Sequence, residues 1–454
     1  MRLQKESEKG MSKGGKKDYE KHLKSMDKLM KISNEFHGGK GKSDPKNETK
    51  EGSEMMNPLF YEGDMILNPK QAEYLIEEAK LKLEAKKSGN LNKSSEKEIA
   101  NKLKKNRAFK KNSKYKWTFP IPYYVDSSLS DKNIDIALKN IEKETCVRFK
   151  KMKSLIQQPG LRFFKGTGCY SYIGPIYQNR PQDVSIGYGC DYVGIIEHEA
   201  FHALGVFHEQ SRPDRDNYLS IHLENVSPSM KHNYAKSSLV DSEAFGVPYD
   251  YGSVMQYGRT AFSNNGKDTM VPKNSFYKDV IGNKGEMQFN DIKLINKALC
   301  STVCKEEIEC ENGGYQDPNN CGACKCPSML TGSTCEKLIP NKMECGGYQK
   351  IDVTKELKTL DLIGTKHCVY SLESEEGKKI NVNITNGYTS YVLFGTCLPG
   401  MGLEIKYASD KTLTGANFCG YISNKTFVSE GNKIFIRYNG QSEKHYAKIE
   451  YNAI

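Results

Sequence analysis

The sequence predicts a multidomain chain in which an α+β domain precedes a small disulfide-rich module and an all-β sandwich. Amphipathic helix patterns at 131–146 and 290–299 enclose a series of short strand patterns, which favours the α+β class. Six cysteines then fall within 304–335, and such density is typical of a module held by disulfides. Alternating apolar and polar runs fill 345–454 with little helical periodicity, which indicates a β sandwich.

The composition is that of a polar, folded chain with a basic excess. Lys and Arg outnumber Asp and Glu by 67 to 56, and much of this excess lies in the first 107 residues. We interpret the lysine runs there as solvated charge, because no nucleic-acid-binding motif accompanies them. No run of about 18 apolar residues occurs, so no membrane-spanning helix is expected. Nucleic acid and membrane-spanning functions are therefore excluded.

The N-terminal third is lysine-rich and low in apolar residues. Residues 1–57 are predicted to be largely disordered, with room for some helix between 19 and 32. Asn68 and Pro69 form an N-cap and helix-opening pair, which predicts a helix over Pro69–Lys87. Residues 88–107 are predicted to be a polar linker, exposed to trypsin-like cleavage.

A metal-binding pattern lies between residues 193 and 216. His198 and His202 are four residues apart on a predicted helix, so both imidazoles can bind one zinc ion. Glu199 is beside them and can take a proton from a zinc-bound water. A glycine three residues after the second histidine can end the helix in a left-handed conformation, which brings His208 round as third ligand. The chain has nine histidines, so chance explains three of them in this short stretch poorly.

The cysteines indicate an oxidising compartment. All fourteen lie between Cys146 and Cys419, and an even number in this arrangement is typical of a disulfide framework. The first ten residues contain no apolar signal core, so we expect an upstream natural start or unconventional export. The close pair Cys321 and Cys324 could also belong to a zinc ribbon, but that requires a second such pair and a reducing compartment. Five glycosylation sequons also fit secretion: Asn47, Asn92, Asn225, Asn383 and Asn424.

The zinc motif continues through His208-Glu209 to Arg212 and Asp214-Arg215-Asp216, and in this form it resembles the astacin family of zinc metalloendopeptidases. Ser253-Val254-Met255-Gln256-Tyr257 is similar to the Met-turn of that family. The resemblance implies a metzincin-type catalytic domain, with a five-stranded sheet and long helices. The whole order is similar to that of secreted nematode members: propeptide 1–107, protease domain 108–301, EGF-like module 302–337 and CUB-like domain 345–454.

The resemblance also implies a role for each matching residue. The three histidines would hold one catalytic zinc ion, and Glu199 would be the general base. Tyr257 would be a fifth, switchable zinc ligand that hydrogen-bonds the reaction intermediate. Met255 would form an apolar floor beneath the histidines, although each of these last two could alone be an ordinary packing residue.

A second motif, Tyr61-x-Gly63-Asp64, resembles the latency motif of the family, with Tyr61 in place of the usual Phe. By this resemblance the Asp64 carboxylate occupies the zinc of a latent zymogen, whereas a plain Gly-Asp turn would have no such role. Cleavage at Arg107–Ala108 by a trypsin-like or astacin-like protease would free an α-amino group that reaches Glu209. Alternative cut sites nearby are Lys104, Lys105 and Lys110.

The family pattern pairs every cysteine, although six cysteines alone allow 15 pairings. In the CUB-like region the segment after Cys397 lacks the expected Asp, so no calcium is predicted there. The implied disulfides are Cys146–Cys300, Cys169–Cys190, Cys304–Cys321, Cys310–Cys324, Cys326–Cys335, Cys345–Cys368 and Cys397–Cys419.

Two functions are compatible with this organisation. The first is a secreted zinc endopeptidase that cleaves extracellular proteins such as matrix, cuticle or host tissue protein, with an extended substrate paired to an edge strand at Tyr170–Ile173. Its CUB-like domain would bind matrix or a protein partner. The second is a non-enzymatic extracellular binding protein with a degenerate site. The intact histidines, Glu199 and Tyr257 favour the first.

Overall fold

The computed structural model describes residues 2–38, 55–105, 115–236, 244–393 and 395–454. Within it the chain divides into two compact units. The first comprises Met1–Lys143, Val147–Ala244 and Arg259–Val271, and the second comprises Glu144–Cys146, Phe245–Gly258 and Pro272–Ile454. The second unit thus includes the end of segment 108–301, and the expected domain limits stay a prediction.

The helices of the N-terminal half are α1 (Arg2–Ser7), α2 (Lys13–Phe36), α3 (Pro69–Lys87), α4 (Lys93–Lys105), α5 (Lys132–Glu144) and α6 (Val193–Leu204). Helix α3 begins as predicted. The Asn68 side chain accepts a hydrogen bond from Gln71 N, the Gln71 side chain accepts one from Asn68 N, and Pro69 occupies the first turn.

The expected disorder over 1–57 is wrong for α1 and for the ends of α2, whereas the helix allowed between 19 and 32 lies within α2. Although α2 is lysine-rich, it buries Tyr19 and Met26 on one face. Tyr19 packs in an apolar cluster with Phe60 and with Tyr170 of the catalytic sheet, so tertiary contacts stabilise a helix whose average composition is polar. Within the linker expected over 88–107, the chain instead forms helix α4 from Lys93 to Lys105.

A six-stranded sheet forms the centre of the first unit. Its order is β1-β5-β6-β4-β2-β3, where β5 is antiparallel to β6 and the other pairs are parallel. Strands β2 to β6 give the five-stranded sheet that the family resemblance implies, and the segment before residue 108 contributes β1 as a sixth strand, at the edge of β5. The strands are β1 (Met65–Ile66), β2 (Ile121–Val125), β3 (Phe149–Lys151), β4 (Gly160–Phe164), β5 (Cys169–Tyr172) and β6 (Pro181–Ile186), and a separate pair is β7 (Leu219–Ile221) with β8 (Met270–Pro272).

The second unit begins its regular structure with helix α7 (Phe289–Leu299), near the predicted position. Two short hairpins follow within 315–338. They are β9 (Tyr315–Asp317) with β10 (Asn320–Lys325), and β11 (Leu330–Thr331) with β12 (Lys337–Leu338). Three disulfides hold this small module, as its cysteine density predicted.

Residues 345–454 form the predicted all-β sandwich, with sheets β13-β15-β20-β17-β18 and β14-β21-β16-β19 and a shared apolar core. The strand expected over Thr389–Phe394 is absent from its described part, 389–393. There the Thr389 hydroxyl donates to Phe418 O instead. The strands are β13 (Lys350–Asp352), β14 (Lys358–Ile363), β15 (His367–Glu373), β16 (Ile380–Tyr388), β17 (Gly402–Lys406), β18 (Ala416–Phe418), β19 (Tyr421–Val428), β20 (Lys433–Asn439) and β21 (Tyr446–Ala453).

All fourteen cysteines are disulfide-bonded. The seven pairs are the same as those implied by the family resemblance: Cys146–Cys300, Cys169–Cys190, Cys304–Cys321, Cys310–Cys324, Cys326–Cys335, Cys345–Cys368 and Cys397–Cys419.

Candidate metal centre

Helix α6 carries the first two histidines of the site. Every residue of this helix after Val193 is buried, so its position is set by packing on all sides. It ends where the sequence predicts, because Gly205 adopts a left-handed conformation with φ of 113° and its N–H donates to His202 O. The turn that follows brings the His208 ring to 4.7 Å from the His202 ring, measured between centroids.

Three imidazoles and one carboxylate converge on a buried point. His198 Nε2 and His208 Nε2 are 3.3 Å apart, which matches the spacing of about 3.3 Å expected for two nitrogens bound tetrahedrally to zinc. One Asp64 oxygen lies 3.3 Å from His198 Nε2 and 3.2 Å from His208 Nε2. The other lies 3.6 Å from His202 Nε2. All four candidate ligand atoms lie within 4.8 Å of one another.

Hydrogen bonds on the far side of two imidazoles fix their orientation. His202 Nδ1 donates to Val206 O at 2.7 Å, and His208 Nδ1 donates to a Glu62 carboxylate oxygen at 2.8 Å. Because Nδ1 of His202 and of His208 is used in these hydrogen bonds, Nε2 is the atom of each ring that faces the metal position. Sequence reasoning missed Glu62, which occupies the variable position of the predicted latency motif. Its contact is visible only in the fold, where the turn around Gly63 lies against His208.

Burial and mutual charge shift the pKa values in the site. Burial would raise the pKa of Asp64, but the His208 charge and the close approach of the three imidazoles hold it well below its usual value. Burial, then the Asp64 charge, raises the pKa of Glu199 well above its usual value. Burial would lower the pKa of His208, but Asp64 outweighs it and raises the pKa to about 9. Burial lowers the pKa of His198 to about 4. The buried cluster therefore places the four candidate metal ligands beside Glu199, a carboxylate with a raised pKa.

The donor set fits zinc. Within the described parts of the chain, His202 Nε2, one Asp64 oxygen and both Glu199 oxygens are buried without a hydrogen-bond partner. Such atoms are costly to bury unless a cation or a polar ligand satisfies them. Imidazole nitrogens and a carboxylate in tetrahedral reach are ligands that zinc prefers. We conclude that His198, His202 and His208 can hold zinc, with Asp64 in the fourth position.

The segment before residue 108 reaches the histidines through a tight turn. Gly63 has φ of 82°, and a Cβ atom there would lie 2.5 Å from Met55 O, so a side chain would not fit. Asp64 follows, and Ser171 N donates to its carbonyl oxygen at 2.9 Å. The chain then forms β1, paired in register with β5. This segment thus covers the edge strand on which a peptide was expected to bind.

The remaining predicted residues have simpler surroundings. Met255 and Tyr257 are buried in the second unit, and their roles at the metal stay predictions. Glu209 lies in a short 3-10 turn, 3.3 Å from Arg212 Nη1. Its expected partner Ala108, like the expected cut at Arg107, lies outside the described residues.

The Met-turn segment itself is held by a buried carboxylate. Asp291 of α7 accepts a hydrogen bond from Ser253 Oγ at 2.5 Å and another from Val254 N at 3.0 Å. It also accepts one from Gln288 N at 2.8 Å, which caps α7. One side chain therefore ties the turn that carries Met255 to the start of a helix, a connection that the sequence pattern did not indicate.

Three histidines, a carboxylate in the fourth position and a neighbouring glutamate define the class of site used by zinc hydrolases. Residues 109–300 match the family model described as Astacin, a peptidase family. Through this domain the chain belongs to the astacin family.

Curated nematode relatives point the same way. Zinc metalloproteinase nas-34 of Caenorhabditis elegans is 36% identical over 389 residues, which are 84% of this chain and 62% of that protein. Zinc metalloproteinase nas-36 of Brugia malayi is 34% identical over 384 residues, 81% of this chain and 64% of that protein. Among solved structures, High choriolytic enzyme 1, a hatching enzyme zinc-protease from Oryzias latipes, is 36% identical over 40% of this chain and 92% of that chain, with a TM-score of 0.36. The chain spans about three-fifths of the length of these two nematode relatives.

Proposed function

We propose that this protein is a secreted zinc-dependent endopeptidase of the astacin type, made as a latent zymogen. The observation that carries the proposal is the convergence of the prosegment carboxylate Asp64 on three histidines of a protease-type motif. Family membership and the names of the nematode relatives support the same activity.

The chemistry follows from the residues around the metal position. Zinc held by the three histidines would supply the Lewis acid that polarises the scissile carbonyl and an attacking water. Glu199 accepts the proton of that water and passes it to the leaving amine, a role that its buried position beside the histidines suits. In this proposal Tyr257 hydrogen-bonds the charged oxygen that develops, and Met255 supports the histidines from below.

The prosegment blocks this chemistry in two ways. Its Asp64 carboxylate occupies the place that the attacking water needs, and β1 occupies the edge of β5. An extended peptide that adds to a sheet edge gains main-chain hydrogen bonds, and those of β5 are already used by Met65 and Ile66. We therefore propose that hydrolysis requires removal of the prosegment.

Activation is proposed at Arg107–Ala108, by a trypsin-like or astacin-like protease. The new α-amino group of Ala108 would then meet Glu209. In the uncleaved chain Glu209 pairs with Arg212 instead, and their side chains are 10 to 12% exposed. The α-amino charge of Ala108 would therefore meet Glu209 where both Glu209 and Arg212 are largely shielded from water.

Extracellular action is proposed from the covalent structure. Seven disulfides in a chain of this kind are typical of an oxidising compartment. In the described parts of the chain, no helix combines the length and the apolar character needed to cross a bilayer. The substrates would be matrix, cuticle or host tissue proteins. The disulfide-rich module would be EGF-like, and the sandwich would be a CUB-like domain that binds matrix or a protein partner.

The direct test compares the wild-type chain with Glu199→Ala after limited trypsin treatment. We expect hydrolysis of a denatured protein to fall by about 10²- to 10⁴-fold in the variant, because its general base is lost. Metal analysis should still find one zinc per chain. Exposed Glu224 of the same unit provides the matched control, Glu224→Ala, which should keep both activity and zinc. Full activity in Glu199→Ala, or a wild-type chain without zinc, would refute the proposal.

A further inference from the structure

The β sandwich contacts the segment that leads into the Met-turn. Both belong to the second unit, where Thr414 lies in the connection between β17 and β18 of the sandwich. Thr414 N donates to both carboxylate oxygens of Asp250, at 3.2 and 3.1 Å. Asn290 Nδ2, on α7, donates to the same carboxylate at 3.2 Å, and Asp250 is buried. One carboxylate therefore joins this segment to α7 and to the sandwich.

Two short turns connect Asp250 with Tyr257, seven residues further along the chain. Ser253 N donates to Asp250 O at 3.1 Å, and Gln256 N donates to Ser253 O at 3.1 Å. Gly252 N also donates to the Asp250 carboxylate, at 3.0 Å. Because each turn is closed by a main-chain hydrogen bond, a shift of Asp250 would move the residues that follow it.

The carbonyl group of Thr414 is held as well. The Tyr277 hydroxyl donates to Thr414 O at 3.1 Å, and the Tyr277 ring stacks on the Tyr251 ring with the centroids 4.7 Å apart. Tyr251 is the neighbour of Asp250 in the chain. Both polar groups of the Thr414 backbone are thus bound by the same part of the unit, which fixes the sandwich against the segment.

The approach of the two backbones requires glycine at position 252. A Cβ atom there would lie 2.4 Å from Thr414 Oγ1 and 2.6 Å from Thr414 Cβ. Carbon atoms that are not bonded pack at about 3.5 to 4.0 Å, so a side chain at 252 would push the sandwich and the segment apart. Asn283 Nδ2 donates to Gly252 O at 2.9 Å, which further fixes this backbone.

We propose that the β sandwich is a positioning element for catalysis: Thr414 holds Asp250 in place, and Asp250 sets the position of Tyr257. The inference rests on the proposed protease function, which gives Tyr257 a hydrogen bond to the reaction intermediate. Thr414, Gly252 and Asp250 are positioning residues, since they act through that tyrosine. A sandwich that only binds matrix would affect large substrates alone, whereas this coupling affects the hydrolysis of every peptide.

The test follows cleavage of a short quenched peptide by the full chain after prosegment removal. Such a peptide reports the chemical step apart from any capture of a large protein by the sandwich. Gly252→Ala should lower kcat by about 10- to 100-fold and leave KM unchanged, because misplacement by about 1 Å can cost about 10²-fold. Zinc content should stay at one per chain. The matched control is Gly347→Ala, at an exposed glycine of the same unit where a Cβ atom meets nothing within 4 Å, and it should keep the wild-type kcat.

A second substitution tests whether the loss acts through Thr414. Thr414→Gly keeps the N–H that binds Asp250 and removes the atoms that a side chain at 252 would strike. Added to Gly252→Ala, it should raise kcat by about tenfold over that of Gly252→Ala alone. If Gly252→Ala does not fold, Asp250→Asn brings an amide donor against the donors of Thr414 and Asn290, and it should lower kcat in the same way.

The outcomes separate this inference from the proposed function. A folded, zinc-loaded Gly252→Ala chain with the wild-type kcat would overturn the positioning role, and so would a double variant no faster than Gly252→Ala. A raised KM with unchanged kcat would also overturn it, because the sandwich would then act on substrate binding. Each of these results leaves the protease in place. A zinc-loaded wild type that cleaves no peptide would overturn the proposed function, and the inference with it.

Discussion

Replacing Asp64 by asparagine should turn the uncleaved chain into a partly active enzyme. Asp64 is fully buried, and its two oxygens lie 3.2 to 3.6 Å from the Nε2 atoms of the three histidines. Asparagine keeps the shape but removes the charge. Breaking a buried charge pair costs about 3 to 5 kcal/mol. At 1.4 kcal/mol per tenfold, the fraction of open sites should rise by roughly 10²- to 4 × 10³-fold.

The assay follows a quenched fluorescent peptide with chain whose prosegment is shown by mass to be intact. Activity should remain below that of the cleaved enzyme, because β1 still covers the edge of β5 in the variant. The control Glu73→Gln removes an exposed acid from α3, away from the histidines. The uncleaved control chain should remain as inactive as the uncleaved wild type. An intact Asp64→Asn chain that binds zinc, melts like the wild type and yet shows no activity would refute the argument that this carboxylate is the block.

Three further predictions follow from buried polar contacts and covalent links. Glu62→Gln should weaken the zinc affinity of the zymogen by about 10- to 100-fold, because the amide no longer orients His208 as a carboxylate does. Zinc should then pass to a chelator faster than from the wild type, and an unchanged rate would contradict this prediction. Replacing both Cys146 and Cys300 by alanine opens a 154-residue loop and should lower the unfolding free energy in denaturant by about 5 kcal/mol, and a loss below about 1 kcal/mol would argue against it. Burial raises the pKa of Asp291 from 3.8 to about 6, so the folded state binds this proton more tightly. The unfolding free energy should therefore fall by up to about 3 kcal/mol as pH rises from about 4 to about 6, and Asp291→Asn should remove this part of the pH dependence.

Local patterns predicted much of the site. The spacing of His198 and His202 predicts a shared helix face, and Gly205 predicts the turn that delivers His208. These predictions hold because helix periodicity and glycine backbone preferences act over a few residues and need little tertiary context. The N-cap of α3 at Asn68 is accurate for the same reason.

Composition misled where long-range packing decides. A lysine-rich segment with few apolar residues reads as disordered by itself, yet α2 is ordered by the aromatic cluster that Tyr19 joins. Tyr277 and Val280 likewise belong to the apolar core of the β sandwich, a contact that no local spacing predicts.

The sequence by itself determined the zinc-binding motif, the class of fold and the arrangement of three kinds of segment, since each depends on local spacing or composition. The family resemblance implied that Asp64 reaches the metal position, but only the tertiary structure decided how its two oxygens meet the histidines, that Glu62 orients His208 and that β1 occupies the edge of β5. These contacts join residues more than a hundred positions apart. Their partners are chosen by shape and charge in the folded chain, and no spacing rule along the chain encodes them.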